Sequence, residues 1–121
     1  MVKKILVVDD EEDVRLYLAD FLEEREFSVD TAENAEEALG KLDKNLPDIV
    51  LLDIMMPGMD GLECLEKIKR KFQKVTVIMI TALKNEALMA KALKLGATHY
   101  IIKPFSLSYL ETELGKITAA A

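Results

Sequence analysis

The chain has 121 residues, of which 50% are hydrophobic and 31% are charged, and its formal net charge is −6. This length suits a single domain with a substantial buried core, and this composition is that of an ordinary globular protein rather than a disordered or membrane-embedded one. Direct nucleic-acid binding is not expected at this net charge, because neutralising phosphates requires a concentrated basic face.

Five short apolar runs predict β-strands. In chain order they are Ile5–Val8, Val29–Ala32, Ile49–Leu52, Val75–Ile80 and Tyr100–Ile102. The first, third and fourth runs are almost continuous Val, Ile, Leu and Met, which is typical of strands buried on both faces of a parallel sheet. The second run alternates polar and apolar residues, which favours a position at the edge of the sheet.

Helical periodicity fills the intervals between and after these runs. The predicted helices lie near residues 12–25, 34–43, 61–72, 85–95 and 107–118. Asn34 with Glu37, and Asp60 with Glu63, have the spacing of a capping box, and Gly96 favours the end of the fourth helix. Strand–helix alternation repeated five times predicts one α/β domain over residues 1–121, with a doubly wound parallel sheet between helices.

Polar residues interrupt the apolar runs where four of the strands end. They are Asp9 and Asp10 after the first strand, Asp53 after the third, Thr81 after the fourth and Lys103 after the fifth. In open α/β sheets the functional site lies beyond the carboxyl ends of the strands, so we expect these side chains on one rim. Each also has a structural explanation, such as helix capping by the first two acids or a solvated strand end at Lys103.

Three carboxylates on one rim repel one another, and their pKa values rise unless a cation lies among them. An all-oxygen ligand set favours a hard divalent ion, with Mg²⁺ before the transition metals. Lys103 would add a positive charge and Thr81 a hydroxyl donor, which leaves one aspartate free to act as a nucleophile on a phosphoryl group. Charge alone does not decide which aspartate has that role.

The motifs around these residues resemble the signature of response-regulator receiver domains. They are Val7-Val8-Asp9-Asp10, Leu52-Asp53 with Met56-Pro57-Gly58-Met59-Asp60-Gly61, Ile80-Thr81-Ala82, Lys103-Pro104-Phe105, and Gly96-Ala97 followed by Tyr100. The similarity runs from about Lys3 to Ile117. It implies the flavodoxin-like, CheY-like strand order 2-1-3-4-5, which is the established order of that fold class.

The resemblance also implies a phosphoryl acceptor and a metal site. Asp53 would accept a phosphoryl group from a histidine kinase or a histidine phosphotransfer protein. Mg²⁺ would be bound by Asp53, the backbone carbonyl of Met55, Asp10 as a direct ligand, and Asp9 partly through water.

Further roles implied by the resemblance concern the phosphoryl group and a conformational switch. Lys103, joined to Pro104 by a cis peptide bond, would contact the phosphoryl group together with Thr81 and Ala82. Thr81 would move toward that group and Tyr100 would turn inward behind it, although an aromatic residue half-buried on an edge strand explains Tyr100 equally well from the sequence. The surface of helix 4, strand 5 and helix 5 would then control a partner or output domain.

The implied function is a signalling switch in a bacterial two-component system that turns over no external substrate. Two other classes compete with it: a Mg²⁺-dependent phosphohydrolase with an aspartyl-phosphate intermediate, and a flavin-binding electron carrier. The hydrolase would need a cap and a second acid, and the carrier would need a phosphate-binding loop where this chain has Asp9 and Asp10. Turnover of small phosphate esters would favour the hydrolase, and a coloured purified protein would favour the flavin carrier.

Several residues differ from the family pattern or occupy positions that the pattern does not specify. Met55 and Leu83, each two residues beyond a site residue, are apolar and cannot orient a hydrolytic water, which predicts slow self-dephosphorylation. Thr98 and His99 stand where one DNA-binding subgroup has two acids, which argues against the dimer interface of that subgroup. A different dimer that forms on phosphorylation is still compatible with the sequence. His99 is expected to be an exposed residue on the edge strand.

Location and partner surfaces are suggested only by composition. The single cysteine, Cys64, excludes an internal disulfide and suits a reducing cytoplasm. No apolar run approaches the eighteen or so residues of a transmembrane helix, and the first run is too short for a signal peptide. Residues 1–66 hold 6 basic and 19 acidic side chains, whereas residues 67–121 hold 10 and 3. Folding would either interleave the two halves or leave a basic partner surface on the later helices.

Overall fold

The computed structural model describes residues 3–120, so the first two residues and the last residue of the predicted domain lie outside it. Five strands alternate with five helices along the chain. They are β1 (Lys4–Val8), α1 (Glu12–Glu24), β2 (Ser28–Ala32), α2 (Ala35–Lys44), β3 (Ile49–Leu52), α3 (Gly61–Lys71), β4 (Thr76–Thr81), α4 (Glu86–Lys94), β5 (His99–Ile102) and α5 (Leu107–Ala120). All ten elements agree with the sequence prediction to within two residues at each boundary.

The strands form one parallel sheet in the order β2-β1-β3-β4-β5, as the family resemblance implied. β3 lies in the centre, and its register pairs Leu52 with Val8 of β1 on one side and with Met79 of β4 on the other. β2 lies at one edge, as its alternating pattern predicted. The carboxyl ends of β1, β3, β4 and β5 therefore meet along one rim.

Alternate residues of the central strands supply two hydrophobic cores, one on each face of the sheet. Leu6, Val50 and Val77 face the layer formed by α2, α3 and α4. Ile5, Leu51 and Ile78 face the layer formed by α1 and α5. Successive strand residues point to opposite faces, so a strand covered on both sides must be apolar throughout, which is why these runs read as continuous.

Capping residues begin α2 and α3, and a glycine follows the end of α4, as the sequence predicted, with one difference. The side chains of Asn34 and Asp60 accept hydrogen bonds from the backbone N–H groups of Glu37 and Glu63, at 2.8 and 2.9 Å. The return bond of a capping box is different here, because Glu37 accepts from the N–H of Glu33 rather than from Asn34. Gly96 follows α4 with φ of +113°, a backbone conformation that favours glycine.

None of the helices in residues 3–120 combines the length and the hydropathy that crossing a bilayer requires.

Candidate functional site

Four strand ends bring the predicted polar residues to one rim of the sheet. Asp9 follows β1, Asp53 follows β3, Thr81 is the last residue of β4, and Lys103 follows β5. Asp9 and Asp53 are 3% and 6% exposed, and Thr81 is completely buried. Buried charges are costly unless they are paired, so this rim needs a cation close to its two buried carboxylates.

The ammonium group of Lys103 supplies that positive charge. Its Nζ donates to Asp9 Oδ2 at 2.7 Å and to Asp53 Oδ2 at 3.3 Å. Burial alone would lower the pKa of Lys103, but the bond to Asp9 and the charges of Asp53 and Asp9 outweigh it and raise the pKa above its ordinary value of 10.5. The Lys103–Pro104 peptide bond is cis, as the family resemblance implied.

Three carboxylates come together beside this lysine. Asp9, Asp10 and Asp53 each offer one oxygen, and these oxygens lie within 4.8 Å of one another. The donor set is entirely oxygen, which fits a hard divalent cation such as Mg²⁺ and does not suit a metal that prefers His or Cys ligands. The residues present therefore fit Mg²⁺, the metal expected from the sequence.

The two neighbouring acids after β1 have very different surroundings. Both carboxylate oxygens of Asp9 are engaged, Oδ1 by the N–H of Glu11 at 2.9 Å and Oδ2 by Lys103. Asp10 is exposed and lines the cavity at the rim. Asp10 is thus the acid with free ligand capacity, while Asp9 mainly holds the lysine and the loop.

An open cavity of about 620 Å³ lies over Asp53. Asp10, Thr81, Ala82 and Lys103 contribute to its wall together with the loop that follows β3. In that loop the N–H of Met55 donates to Asp53 Oδ1 at 3.3 Å, and the Met55 side chain is 59% exposed. The cavity is large enough to hold a phosphoryl group and is open to solvent.

Behind the cavity, the β4–α4 loop contacts both Thr81 and Tyr100. The hydroxyl of Tyr100 donates to the backbone carbonyl of Leu83 at 2.6 Å, and the N–H of Leu83 lies 3.4 Å from Thr81 Oγ1. Burial, and after it the charge of Asp53, raise the pKa of Tyr100. Tyr100 is half-buried on an edge strand and packs against the core, whereas its inward turn on phosphorylation stays a prediction.

Some residues lie elsewhere than the sequence suggested. His99 was predicted to be exposed, but it is half-buried, because α5 places the buried carboxylate of Glu113 at 3.6 Å from its Nε2. Leu83 was grouped with Met55 near the acceptor, yet Leu83 packs against the hydrophobic core under α4 and does not line the cavity.

Other contributors to the rim were not identified from the sequence. Glu11, Met56, Pro57 and Asp60 also line the cavity, and the side chain of Arg15 reaches the backbone carbonyl of Asp9. The motif from Met56 to Gly61 was noticed as a unit, but no periodicity or spacing shows how closely its last glycine approaches Asp53.

Comparison with known proteins gives a consistent result. The family model described as the response regulator receiver domain matches residues 5–114. The transcriptional regulatory protein ResD of Bacillus subtilis is 45% identical over 104 residues, which cover 85% of this chain and 42% of ResD. The chemotaxis protein CheY of Listeria monocytogenes is 43% identical over 103 residues, covering 84% of this chain and 87% of that protein. The chain thus spans less than half the length of ResD but most of CheY.

Solved structures agree with this result. The crystal structure of the CheX–CheY–BeF3–Mg²⁺ complex from Borrelia burgdorferi contains a chain that superposes with a TM-score of 0.92 at 34% sequence identity. The match covers 96% of this chain and 89% of that one. The chain belongs to the receiver-domain family of two-component response regulators.

Proposed function

We propose that residues 1–121 form a receiver domain whose Asp53 accepts a phosphoryl group in a Mg²⁺-dependent reaction. The observation that carries this proposal is the position of the Asp53 carboxylate, which lies at the floor of an open cavity between a lysine ammonium and a second acid. Asp9 is a weaker candidate for the acceptor because it does not line this cavity and because its carboxylate oxygens accept hydrogen bonds of 2.9 and 2.7 Å, shorter than the two 3.3 Å bonds to Asp53.

In the proposed reaction an Asp53 oxygen attacks the phosphorus atom of a phosphohistidine or an acyl phosphate. A new oxygen–phosphorus bond forms, and the bond from phosphorus to the donor's nitrogen or oxygen breaks, so that the donor leaves with its electron pair. Phosphoryl transfer depends mainly on positioning and on electrostatic stabilisation of the phosphoryl oxygens. The chain offers Lys103 as a point charge, the Thr81 hydroxyl and the Ala82 backbone for that purpose.

Bound Mg²⁺ would neutralise the phosphoryl oxygens and the acids around them. Asp10, Asp53 and the Met55 carbonyl are the proposed direct ligands, with Asp9 acting partly through water. The fit of the all-oxygen donor set supports this assignment, as does the presence of Mg²⁺ in the related CheX–CheY complex.

The proposed consequence of phosphorylation is a change in the surface formed by α4, β5 and α5. Thr81 and Tyr100 both contact Leu83 of the β4–α4 loop, one at its N–H and the other at its carbonyl, so a new negative group on Asp53 would act on that loop through this residue. A switch of this kind is a bistable element biased by a local charge change. The domain would assist only its own phosphorylation and dephosphorylation.

The proposed partners are a sensor histidine kinase or a histidine phosphotransfer protein, and a downstream protein or output domain. The excess of lysines in the later half of the chain would favour an acidic partner at α4 and α5. Some of these lysines instead form ion pairs with acids of the first half, as Lys71 does with Asp43 at 2.6 Å. A cytoplasmic location, absence of direct nucleic-acid binding and a dimer formed on phosphorylation stay predictions from the sequence.

The deciding experiment is the intact mass of the protein after incubation with acetyl phosphate, with and without Mg²⁺. The parent should gain about 80 Da, the mass of one phosphoryl group, and only when Mg²⁺ is present. Asp53→Asn should gain nothing. The matched control is Asp60→Asn, which alters another acid lining the cavity and keeps an acceptor for its helix cap; this variant should gain the same mass as the parent.

A parent that never gains mass, or an Asp53→Asn variant that still does, would contradict Asp53 as the acceptor. Sustained release of phosphate from small phosphate esters by the parent would instead favour the phosphohydrolase.

A further inference from the structure

Arg15, on the second turn of α1, makes a contact that the site described above does not require. Its guanidinium Nη1 donates to the backbone carbonyl oxygen of Asp9 at 2.7 Å. The side chain is half-buried, and among residues 3–120 no carboxylate pairs with it within 4 Å. A guanidinium most often pairs with a carboxylate or a phosphate, so a guanidinium that donates to one backbone carbonyl indicates that it fixes the position of that carbonyl.

With that bond, every polar group of Asp9 is fixed. Its N–H donates to the carbonyl of Ala32 at 3.1 Å, and its two carboxylate oxygens accept from Glu11 and Lys103. The peptide group that joins Asp9 to Asp10 is planar. Fixing the Asp9 carbonyl therefore fixes the direction in which the chain leaves toward Asp10.

Asp10 itself has little else to orient it. It is exposed, and its side chain forms no hydrogen bond with another described residue. The N-cap residue of α1 is Glu11, which makes no side-chain cap bond, so the turn between β1 and α1 lacks the usual local restraint. Two side-chain hydrogen bonds restrain this turn: the Asp9 carboxylate accepts from the N–H of Glu11, and the Arg15 guanidinium donates to the Asp9 carbonyl.

We infer that Arg15 is a positioning residue for divalent-cation binding, acting through the Asp9–Asp10 peptide to hold the Asp10 carboxylate beside Asp53. This inference rests on the proposed function, because it concerns the metal site of that proposal. Residues that orient metal ligands contribute to affinity without touching the metal, and their loss typically weakens binding by about 10- to 100-fold.

The sign of the effect distinguishes positioning from simple electrostatics. A guanidinium close to a cation site repels the cation, so removing its charge would tighten Mg²⁺ binding if charge were its main influence. Loss of positioning weakens Mg²⁺ binding instead. The two effects oppose each other, and positioning is the larger.

The experiment is a titration with Mg²⁺ alone, followed by backbone amide chemical shifts, on the parent, Arg15→Gln and Arg15→Lys. The expected result is a Kd about tenfold higher for Arg15→Gln, the lower end of the range for residues that orient metal ligands. Arg15→Lys should recover part of the loss, because an ammonium on a long stem can still donate to the Asp9 carbonyl.

The matched control is Arg25→Gln. Arg25 is the C-cap residue of α1, at the opposite end of the helix from the rim, and its Nη1 also donates to a backbone carbonyl, that of Phe21 at 3.3 Å. This variant should bind Mg²⁺ with the parent's affinity. An equal loss of affinity in Arg25→Gln would overturn the specific role given to Arg15.

Unfolding experiments separate positioning from a general loss of stability. Mg²⁺ at a fixed concentration raises the free energy of unfolding of the parent by an amount set by the ratio of that concentration to the Kd. Arg15→Gln should show a smaller Mg²⁺-dependent increase, whereas a purely structural role would lower stability equally with and without Mg²⁺. If the parent does not bind Mg²⁺, the proposed metal site itself fails; if the parent binds and Arg15→Gln binds equally or more tightly, only the role of Arg15 fails.

Discussion

Gly61, the first residue of α3, lies against the backbone of Asp53. A Cβ atom placed on Gly61 would lie 2.0 Å from the Asp53 carbonyl oxygen and 2.6 Å from the Ile54 Cα. The N–H of Gly61 also donates to the Ile54 carbonyl at 2.8 Å. The absence of a side chain at Gly61 therefore lets α3 start directly against the backbone of Asp53.

Gly61→Ala should destabilise the protein and disturb the rim, because the atoms it would meet are backbone atoms that cannot rotate away. Overpacking in a close-packed interior typically costs about 1–3 kcal/mol and occasionally more, and we expect the upper part of that range. Urea unfolding measures the loss, and amide chemical shifts around Asp53 report the displacement.

Gly40→Ala is the matched control for this prediction. Gly40 lies inside α2, and a Cβ there meets nothing within 4 Å. Because glycine is a poor helix former, this substitution should stabilise the protein by about 0.5–1 kcal/mol. Equal effects of the two substitutions would contradict the close approach of Gly61 to Asp53.

Lys103 predicts a loss of stability at alkaline pH. Since folding raises its pKa above the ordinary value of 10.5, the folded state retains this proton more strongly than the unfolded state. The resulting stabilisation is complete below pH 10.5 and disappears as the pH rises through the folded-state pKa. The free energy of unfolding of the parent should therefore fall in this range, and Lys103→Met should lack that part of the slope.

Lys84→Met is a control for this pH profile, because it removes an exposed lysine in the neighbouring β4–α4 loop. Folding also raises the pKa of Tyr100 above its ordinary value of 10.0, so ionisation of Tyr100 lowers the free energy of unfolding over an overlapping pH range. The comparison should therefore be repeated in a Tyr100→Phe background. An unchanged alkaline slope in Lys103→Met would contradict the proposed charge coupling to Asp9 and Asp53.

Much of the fold was predictable because it depends on patterns along the chain. Continuous apolar runs identified the central strands, and the alternation in Ser28–Ala32 identified an edge strand. The convergence of Asp53 and Lys103 followed from a general property of parallel sheets. The strand order came from the family resemblance, since alternation alone allows several orders.

Contacts between distant elements were not predictable in this way. Asp9 and Asp10 are equivalent in the sequence, yet one is 3% exposed and the other faces solvent. Asp9 also accepts from Lys103, which lies 94 residues further along the chain, and from Arg15, and neither contact can be read from the local sequence. Likewise, the contact of Gly61 with Asp53 depends on the angle at which α3 meets the sheet.

Cys64 is predicted to be unreactive in the folded protein. It is completely buried in the core beneath α3. Burial, and after it the charges of Glu36, Asp60 and Glu63, raise its pKa from 9.0 to about 12. The thiolate is the reactive form, so at pH 8 the folded protein should be alkylated at least about a thousandfold more slowly than the urea-unfolded protein.

The measurement for this prediction is the rate of iodoacetamide incorporation, followed by intact mass, with and without urea. Cys64→Ser is the control for labelling at other side chains and should gain no mass on the same timescale. Rapid labelling of the native protein would show that the thiol is accessible and would contradict its position in the core.

Met55 and Leu83 predict a long-lived phosphorylated state. A water molecule attacking the acyl phosphate needs a hydrogen-bonding partner, and neither side chain offers one. Met55 is 59% exposed and lines the cavity, whereas Leu83 packs into the core, so Met55→Asn should account for most of the acceleration of phosphate loss. The Asn amide can orient the water by a hydrogen bond but takes no proton from it, so we expect decay to be faster by at most about 100-fold, the lower end of the effect of positioned proton acceptors.

Decay of the phosphorylated protein is followed by intact mass after acetyl phosphate is removed, in the parent, in Met55→Asn and in Met55→Asn with Leu83→Glu. The control Leu93→Glu introduces the same charge at an exposed leucine of α4 that does not line the cavity, and it should leave the decay rate unchanged. The double variant should decay at least as fast as Met55→Asn, with some loss of stability because a partly buried leucine that packs against the core is replaced by a charged residue. Decay of the double variant that is no faster than that of the parent would contradict the role given to these two positions, since the hydrolytic water would then be oriented by other groups at the rim.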